Sequence, residues 1–253
     1  MKKFNIAYIV DDDIIQIDML QKSINTLLKF NKVDNIYIMY YNIDENILKG
    51  KLSNYNVNIE YFSFDISLVD KYFPELPNVT NKRLRYPSLS RFFISEVIPY
   101  DNFWYIDTDI LFNANIRSLF LRYQNNKLFY AFNRKNYNSK DYPTSYINVN
   151  AINAGILYIN CKLFNELKLF KKILSFYKNN SLTIKYVNQS GYAYLFEIYY
   201  KQCYIKISDI INVRPLYNND EQINNVKIFH CNGASKNLFD ITYNKIMGCR
   251  SNG

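Results

Sequence analysis

The sequence predicts an α/β protein in which a sheet is flanked by helices within a single domain. Apolar runs of strand length alternate with segments of helical periodicity through the first two-thirds of the chain, a pattern typical of such a sheet. Two of the apolar runs end directly in acidic residues. The 253 residues, of which 49% are hydrophobic, suffice for a sizeable core, and no internal repeat or linker divides them.

The predicted strands are short apolar runs bounded by polar residues. They occupy residues 4–10, 35–40, 57–62, 103–106, 128–132 and 154–159. A final short strand at residues 225–229 is expected to lead into His230.

Helices are predicted where apolar residues recur every three or four positions. The expected ranges are residues 14–30, 43–52, 88–98, 161–178 and 189–199. Ser88 is predicted to cap the third helix, which Pro99 ends. Residues 73–87 are expected to be irregular because they contain three prolines. The polar residues 133–148 are expected to form a mobile loop that closes over a ligand.

The clearest functional signal is the apolar run that stops at Asp107 and Asp109, with Thr108 between them. Two carboxylates at the end of a buried strand place hard oxygen ligands at the rim of a sheet, where divalent metal ions and phosphates bind. A motif this short also arises by chance, so solvated loop acids are the alternative interpretation.

A second acidic run, from Asp11 to Asp13, follows the first predicted strand. In open α/β sheets, ligands bind in the crevice beyond the carboxyl ends of the strands. If both strands belong to one sheet, the two acidic runs lie at the same edge. The coincidence predicts a site for a metal ion and a nucleotide.

The segment from His230 to Lys236 contains the only histidine of the sequence. A neutral imidazole combines well with carboxylates around manganese, while Gly233 would let the backbone approach a phosphate and Lys236 would supply a positive charge. A purely structural histidine is the alternative. Cys231 is a poor nucleophile candidate because no second histidine exists to activate it.

Two segments carry amides that could contact sugar hydroxyls. Asn153 precedes Ala154 and Gly155 just ahead of an apolar strand, and Asn188 and Gln189 begin a predicted helix. A tight turn and a simple helix cap are the respective alternatives.

The net charge of +9 fits three classes of partner: nucleic acid, an anionic membrane surface or a phosphorylated substrate.

The four cysteines have no C-x-x-C spacing, so neither a zinc ribbon nor a disulfide framework is predicted. Because the sequence shows neither a signal peptide nor a membrane-spanning apolar run, we expect a cytoplasmic protein, with weak peripheral contact at the inner face of the membrane.

Taken in order, these motifs resemble glycosyltransferase family 8, and most closely its bacterial lipopolysaccharide α-galactosyltransferases and glucosyltransferases. The resemblance spans nearly the whole chain and is carried by Asp11, Arg91, Tyr105-Ile106-Asp107-Thr108-Asp109, Asn153-Ala154-Gly155, Asn188-Gln189 and His230-x-x-Gly233-x-x-Lys236. It implies a GT-A fold, which is a Rossmann-like mixed sheet. It also implies retaining transfer of a hexose from a UDP-sugar to a saccharide or glycolipid acceptor.

The resemblance implies a role for each motif residue. The implied ligands of manganese, or of magnesium, are Asp107, Asp109 and His230. The implied contacts to the nucleotide, the diphosphate and the donor sugar are Asp11, Asp13, Arg91, Thr108, Gly233 and Lys236. The implied catalytic positions are Asn153, Asn188 and Gln189, the last beneath the anomeric carbon. Residues 1–110 would form a nucleotide-binding half, and residues 111–253 an acceptor and metal half with a short tail.

The chain departs from the family pattern at Asn188, where family members commonly have Asp. A neutral amide replaces a carboxylate that usually helps to orient the sugars, so donor preference or rate is expected to differ from the family's. Asn237 and Leu238 replace a common Pro-Trp, and little basic, aromatic tail follows, so membrane attachment is expected to be weaker than in the family. Because Gln189 is a feeble nucleophile and Asn188 is neutral, we expect the acceptor to attack from the face of the leaving group.

Three alternatives remain open. A nucleotidyltransferase would use paired acids at the same sheet edge, but its Gly-rich basic loop is replaced by the acids from Asp11 to Asp13. A nucleic-acid-binding protein would explain the charge, although no recognition motif supports it. A non-catalytic protein that binds UDP-sugar is suggested only by Asn188. The sequence names neither the acceptor nor the choice between galactose and glucose.

Overall fold

The computed structural model of the chain describes residues 2–77, 85–124, 127–134, 152–182, 184, 187–199, 201, 203–208, 210–216 and 220–248. Its strands are β1 (Asn5–Val10), β2 (Asn35–Tyr40), β3 (Asn58–Ser63), β4 (Asn102–Ile106), β5 (Ile110–Phe112), β6 (Phe129–Arg134), β7 (Ile156–Asn160), β8 (Cys203–Ser208) and β9 (Ile228–His230).

Seven of these strands form one mixed sheet in the order β3-β2-β1-β4-β7-β6-β8. Strands β1 to β4 are mutually parallel, β7 runs antiparallel to both β4 and β6, and β8 pairs in parallel with β6. The predicted mixed α/β sheet is therefore confirmed. Because β1 and β4 are parallel neighbours, the acidic runs that follow them lie at the same edge.

The helices of the described residues are α1 (Ile14–Phe30), α2 (Glu45–Leu52), α3 (Ser67–Tyr72), α4 (Arg85–Ser90), α5 (Ile94–Val97), α6 (Arg117–Tyr123), α7 (Cys161–Glu166), α8 (Leu169–Asn180), α9 (Val187–Ile198), α10 (Asp220–Asn225) and α11 (Phe239–Met247). None of them is long and apolar enough to cross a membrane.

Both faces of the sheet are covered, and this explains why its central strands read as continuous apolar runs. All six residues of β1 are buried. Ala7 and Ile9 belong to the hydrophobic cluster on one face, whereas Tyr8 and Val10 belong to the cluster on the other. On the second face, Trp104 stacks on a phenylalanine of α6 with ring centroids 4.0 Å apart.

Two predicted helices have different bounds in the structure. The helix expected from Ser88 begins earlier as α4, with Pro87 in its first turn, where a missing N–H breaks no hydrogen bond. Ser88 is therefore not a cap, and a 3-10 turn over Arg91–Phe93 leads into α5. The helix expected at 161–178 is interrupted at Lys168, whose φ of 52° separates α7 from α8.

The later part of the chain holds structure that the sequence did not predict. The strand expected at 225–229 lies at Ile228–His230, because α10 extends to Asn225. The prediction missed β5, β8, α3, α6, α10 and α11, most of which are short. Of the expected loop at 133–148, residues 133–134 end β6 and the remainder lies outside the described residues.

A second, two-stranded sheet brings the last strand to the acidic motif. Strands β5 and β9 pair in antiparallel orientation, and Ile110 lies opposite His230. Since β5 directly follows Asp109, this pairing places the histidine beside the carboxylates that follow β4.

Candidate metal and nucleotide site

The two aspartates after β4 are fixed by backbone hydrogen bonds on both sides. The amide of Asp107 donates to the carbonyl of Gly155 at 2.9 Å, and the amide of Cys231 donates to the carbonyl of Asp109 at 2.9 Å. The first bond ties the motif to the turn before β7, and the second ties it to the residue after β9. The positions of both carboxylates therefore depend on two distant parts of the chain.

Asp107, Asp109 and His230 converge as the sequence predicted for a metal site. One potential ligand atom from each residue lies within 4.8 Å of the others. Nε2 of His230 is 3.1 Å from Oδ1 of Asp109 and 3.7 Å from Oδ2 of Asp107. Two carboxylates and an imidazole form a donor set suited to manganese or another borderline divalent cation.

The hydrogen bonding of the cluster fits a cation. Oδ1 of Asp109 is fully buried, and its 3.1 Å contact with Nε2 of His230 lacks hydrogen-bond geometry, so this oxygen accepts no well-formed hydrogen bond from the described residues. A buried carboxylate oxygen without a donor is uncommon in folded proteins and requires an explanation, such as an ion. A divalent ion between this oxygen and the histidine would supply the missing partner.

Arg91 and Tyr105 hold the opposite side of Asp107. Oδ1 of Asp107 accepts from the Tyr105 hydroxyl at 2.5 Å and lies 2.6 Å from Nη2 of Arg91. Burial opposes the charge of Arg91, but Asp107 and further anionic groups raise the pKa of this guanidinium above its ordinary value. Arg91 thus offsets one carboxylate charge while Oδ2 of Asp107 still faces the histidine.

Asp109 is ionised at neutral pH despite its burial. Burial would raise the pKa of this carboxyl, but the nearby His230, Lys236 and Arg91 together lower it below the ordinary value. The side chain of Asp109 is 13% exposed. A charged, buried carboxylate of this kind can serve as a cation ligand.

Glycine is necessary at position 155 because of a close approach. A Cβ atom there would lie 2.4 Å from Cε1 of His230 and 3.0 Å from Oδ2 of Asp107. The turn is held by Asn153, whose Oδ1 accepts from the amide of Gly155 at 2.9 Å. The tight turn considered as the alternative for this segment is therefore present, and the contact of Asn153 with the donor sugar stays a prediction.

The residues that follow β1 form the other end of the candidate site. Asp11 accepts hydrogen bonds from the amide of Asp13, from Gln16 and from the Tyr41 hydroxyl. Burial, followed by repulsion from Asp13 and Asp12, raises the pKa of Asp11. Asp13 is the N-cap of α1, and its carboxylate accepts from the amide of residue 15.

Tyr41 lies beside the acids that follow β1. Its hydroxyl donates to Asp11, and burial and the charge of Asp11 raise its pKa, while the charge of Arg91 acts in the opposite direction. The predicted nucleotide residue Asp11 and the predicted phosphate and sugar residue Arg91 lie at the same sheet edge, because Asp11 follows β1 and Arg91 pairs with Asp107 after the neighbouring β4.

The predicted diphosphate segment follows β9 directly. Gly233 has a φ of 56° and begins a 3-10 helix, and the exposed Lys236 is close enough to lower the pKa of Asp109. Arg214 was not predicted: its Nε donates to Oδ1 of Asn232 at 2.6 Å, and its Nη2 would be 3.3 Å from a Cβ at Gly233. The sequence around Arg214 carried no signal that marked it.

The remaining predicted residues are placed less directly. Gln189 is half-buried in the first turn of α9, and the side chain of Asn188 lies outside the described residues. In the same helix, burial raises the pKa of Tyr192, the charge of Arg91 lowers it, and the charge of Asp107 raises it further. Thr108 is half-buried between the two aspartates.

Replacing Gly155 with alanine is expected to weaken Mn²⁺ binding by about 10–100-fold, because the added methyl group must displace His230 or Asp107. Calorimetric titration of the protein with Mn²⁺ measures the effect. The matched control is Gly50→Ala in α2, where a Cβ meets nothing within 4 Å. That variant should bind Mn²⁺ like the unmodified protein. Its free energy of unfolding should be about 0.5–1 kcal/mol higher. Unchanged affinity in Gly155→Ala would contradict the close packing of the cluster.

Comparison with solved structures supports the fold. The galactosyltransferase LgtC, solved with donor and acceptor sugar analogues, superposes with a TM-score of 0.70 at 15% identity and covers 96% of each chain. Mouse xyloside xylosyltransferase 1 gives a TM-score of 0.61 at 13% identity, covering 92% of this chain and 98% of its own. The 4-diphosphocytidyl-2C-methyl-D-erythritol synthase from Anaerococcus prevotii gives 0.52 at 15% identity, covering 97% and 96%.

Comparison of sequences identifies the family. No curated protein matches the chain. The profile of Glycosyl transferase family 8 matches residues 2–240, and this range includes every site residue discussed above. The expected resemblance and the expected GT-A-like fold are thus confirmed, and this chain belongs to glycosyltransferase family 8.

Proposed function

We propose that this protein is a retaining hexosyltransferase that moves galactose or glucose from a UDP-sugar to a saccharide acceptor. Membership of glycosyltransferase family 8 supports glycosyl transfer. The observation that carries the finer proposal is the convergence of Asp107, Asp109 and His230 around a buried carboxylate oxygen that lacks a hydrogen-bond donor. A site of this composition suits a divalent cation that binds a nucleoside diphosphate, and we propose Mn²⁺, with Mg²⁺ as a substitute.

The chemistry of the transfer requires stabilisation of the leaving group. When the bond between the anomeric carbon and UDP breaks, negative charge develops on the diphosphate. A divalent cation held by the cluster supplies a Lewis acid for this charge. Lys236 adds a fixed positive charge at the same side, and the left-handed Gly233 lets backbone N–H groups approach the phosphate.

We further propose that the acceptor attacks on the same face that UDP leaves. The acceptor hydroxyl oxygen forms its bond to the anomeric carbon as the bond to the phosphate oxygen breaks, and the leaving phosphate takes the hydroxyl proton. This route needs no nucleophilic side chain, which fits the amide at Gln189. A glycosyl adduct on residues 188–190 would contradict it.

The donor would lie along the edge from β1 to β9. Asp11 would accept hydrogen bonds from the uridine, and Asp13 would lie at the rim of the same pocket. Arg91 and Asn153 would contact the donor sugar and diphosphate, with Gln189 beneath the anomeric carbon. This order follows the positions of the elements, because β1 and β4 are parallel neighbours that end at this edge, and β9 reaches the acids after β4 through its pairing with β5.

The proposed acceptor is a lipopolysaccharide or another cell-surface glycan. Among the similar structures, LgtC is a galactosyltransferase that was solved with donor and acceptor sugar analogues. The net charge of +9 would suit a phosphorylated glycolipid or weak contact with an anionic membrane on the cytoplasmic side. The alternative of a nucleotidyltransferase rests on shared fold alone, at a TM-score of 0.52, whereas the family match favours glycosyl transfer.

Calorimetric titration with UDP-galactose, UDP-glucose and UDP-N-acetylglucosamine tests the donor. We expect tight binding of one hexose donor only when Mn²⁺ is present. In Asp109→Asn the affinity should fall by more than about 100-fold, because this change removes a cation ligand rather than one of its supports.

The matched control for this titration is Asp101→Asn. Asp101 is exposed and precedes the first residue of β4, whereas the acidic motif follows the last. It should bind the donor like the unmodified protein. Binding that ignores Mn²⁺, or equal losses in both variants, would contradict the metal-dependent site. No binding of any UDP species would contradict the transferase and return attention to nucleic acid as the partner of the positive charge.

Asp11→Asn separates binding from stability. We expect UDP affinity to fall by about tenfold or more, since a charged acceptor is lost. The raised pKa of Asp11 means that its ionisation opposes folding, so the variant should be at least as stable as the parent at neutral pH. This advantage should grow as the pH rises through the carboxyl range and disappear below about pH 4. Urea unfolding of both proteins at several pH values measures this difference in stability. A variant less stable than the parent at neutral pH would refute the idea that ionisation of Asp11 opposes folding.

A further inference from the structure

The segment just before Arg214 packs along β9 and carries a side chain onto the metal-site histidine. The amide of Val213 donates to the carbonyl of Ile228 at 3.2 Å, and the amide of His230 donates to the carbonyl of Val213 at 2.9 Å. Asn212 precedes this pair of bonds, is 1% exposed and has a φ of 64°. Asparagine tolerates this left-handed conformation better than most residues.

The orientation of the Asn212 amide follows from its two hydrogen bonds. Its Nδ2 donates to the carbonyl oxygen of Phe132 at 2.7 Å. A carbonyl cannot donate, so the amide nitrogen must face β6 and Oδ1 must face the histidine. That oxygen lies 2.7 Å from Nδ1 of His230.

An acceptor oxygen at this distance requires a proton on Nδ1. Asn232 also approaches Nδ1, through its Nδ2 at 3.3 Å, but that contact is longer. If Nδ1 carried a lone pair, the oxygen of Asn212 would face it at 2.7 Å with no hydrogen between them. In both the neutral and the protonated imidazole, Nδ1 therefore keeps its proton, and Nε2 is the nitrogen that can become free.

Nε2 is the nitrogen that faces the two carboxylates, at 3.1 Å from Asp109 and 3.7 Å from Asp107. A metal-binding histidine commonly donates its other ring N–H to an oxygen, which fixes its tautomer and ring orientation. We propose that Asn212 is the positioning residue of the metal site: it holds the proton of His230 on Nδ1 and so presents the Nε2 lone pair to the cation. This inference rests on the proposed metal site and adds a residue to it.

The tautomer can be observed directly, because His230 is the only histidine of the chain. Protein labelled with ¹⁵N-histidine gives one imidazole in NMR spectra, which can be followed through a pH titration until the ring is neutral. We expect the remaining proton on Nδ1. A neutral ring protonated at Nε2 in the unmodified protein would overturn the proposal, and this measurement needs no variant to fold.

The effect on the cation is tested with Asn212→Gly, which keeps the left-handed backbone accessible and removes the amide. Mn²⁺ affinity, read from the electron paramagnetic resonance signal of free Mn²⁺, should fall about 10–100-fold. Lys168→Gly is the matched control, because Lys168 is exposed, has a φ of 52° and lies after the end of β7 that is remote from the site. It should leave the affinity unchanged within about twofold.

A double-mutant cycle distinguishes positioning from a general structural role. In a His230→Ala background, Asn212→Gly should cause no further loss of Mn²⁺ affinity, since the ring that it positions is gone. An equal loss in that background, or no loss in the unmodified background, would overturn the role of Asn212. Failure of the unmodified protein to bind Mn²⁺ would instead overturn the metal site, and the positioning role would fall with it.

Discussion

The structure depends on bringing two carboxylates and an imidazole together in a largely buried space. Lone pairs that face one another without hydrogens or cations repel, and burial strengthens this repulsion. The chain offsets part of it with Arg91, which pairs with Oδ1 of Asp107, and with Lys236, which acts on Asp109. Oδ1 of Asp109 and Nε2 of His230 remain turned toward each other, so a positive charge bound between them would relieve the remaining repulsion.

Several unusual local features follow from that constraint. The small sheet of β5 and β9 carries His230 from near the end of the chain to the end of β4. Gly155 leaves the space that the imidazole occupies, and Asn212 accepts a left-handed backbone to reach Nδ1. Asp11 adds a further carboxylate at the same edge, and burial raises its pKa. These features would preorganise the proposed metal and diphosphate site, and the core on both faces of the sheet supports them.

The sequence predicted the parts that have strong local signals. Long apolar runs such as β1 and β2, and the periodic helix α1, could be placed to within a residue or two, and the acids that follow β1 and β4 could be assigned to one edge. Short strands such as β5 carry too few residues for a pattern, and their pairing is decided by tertiary contacts. Asn212 contacts His230, and Arg214 contacts Asn232. These contacts join residues that are distant in sequence, so a local sequence pattern could not predict them. Pro87 misled the prediction, because proline is compatible with the first turn of a helix.

Anomalous X-ray diffraction at the manganese edge, from crystals grown with Mn²⁺ and UDP, would locate the cation. We expect one strong peak within bonding distance of Asp107, Asp109 and Nε2 of His230, with the UDP phosphates on its open side. A peak elsewhere, a peak that excludes the histidine, or bound UDP without manganese would contradict a metal site built from these three residues.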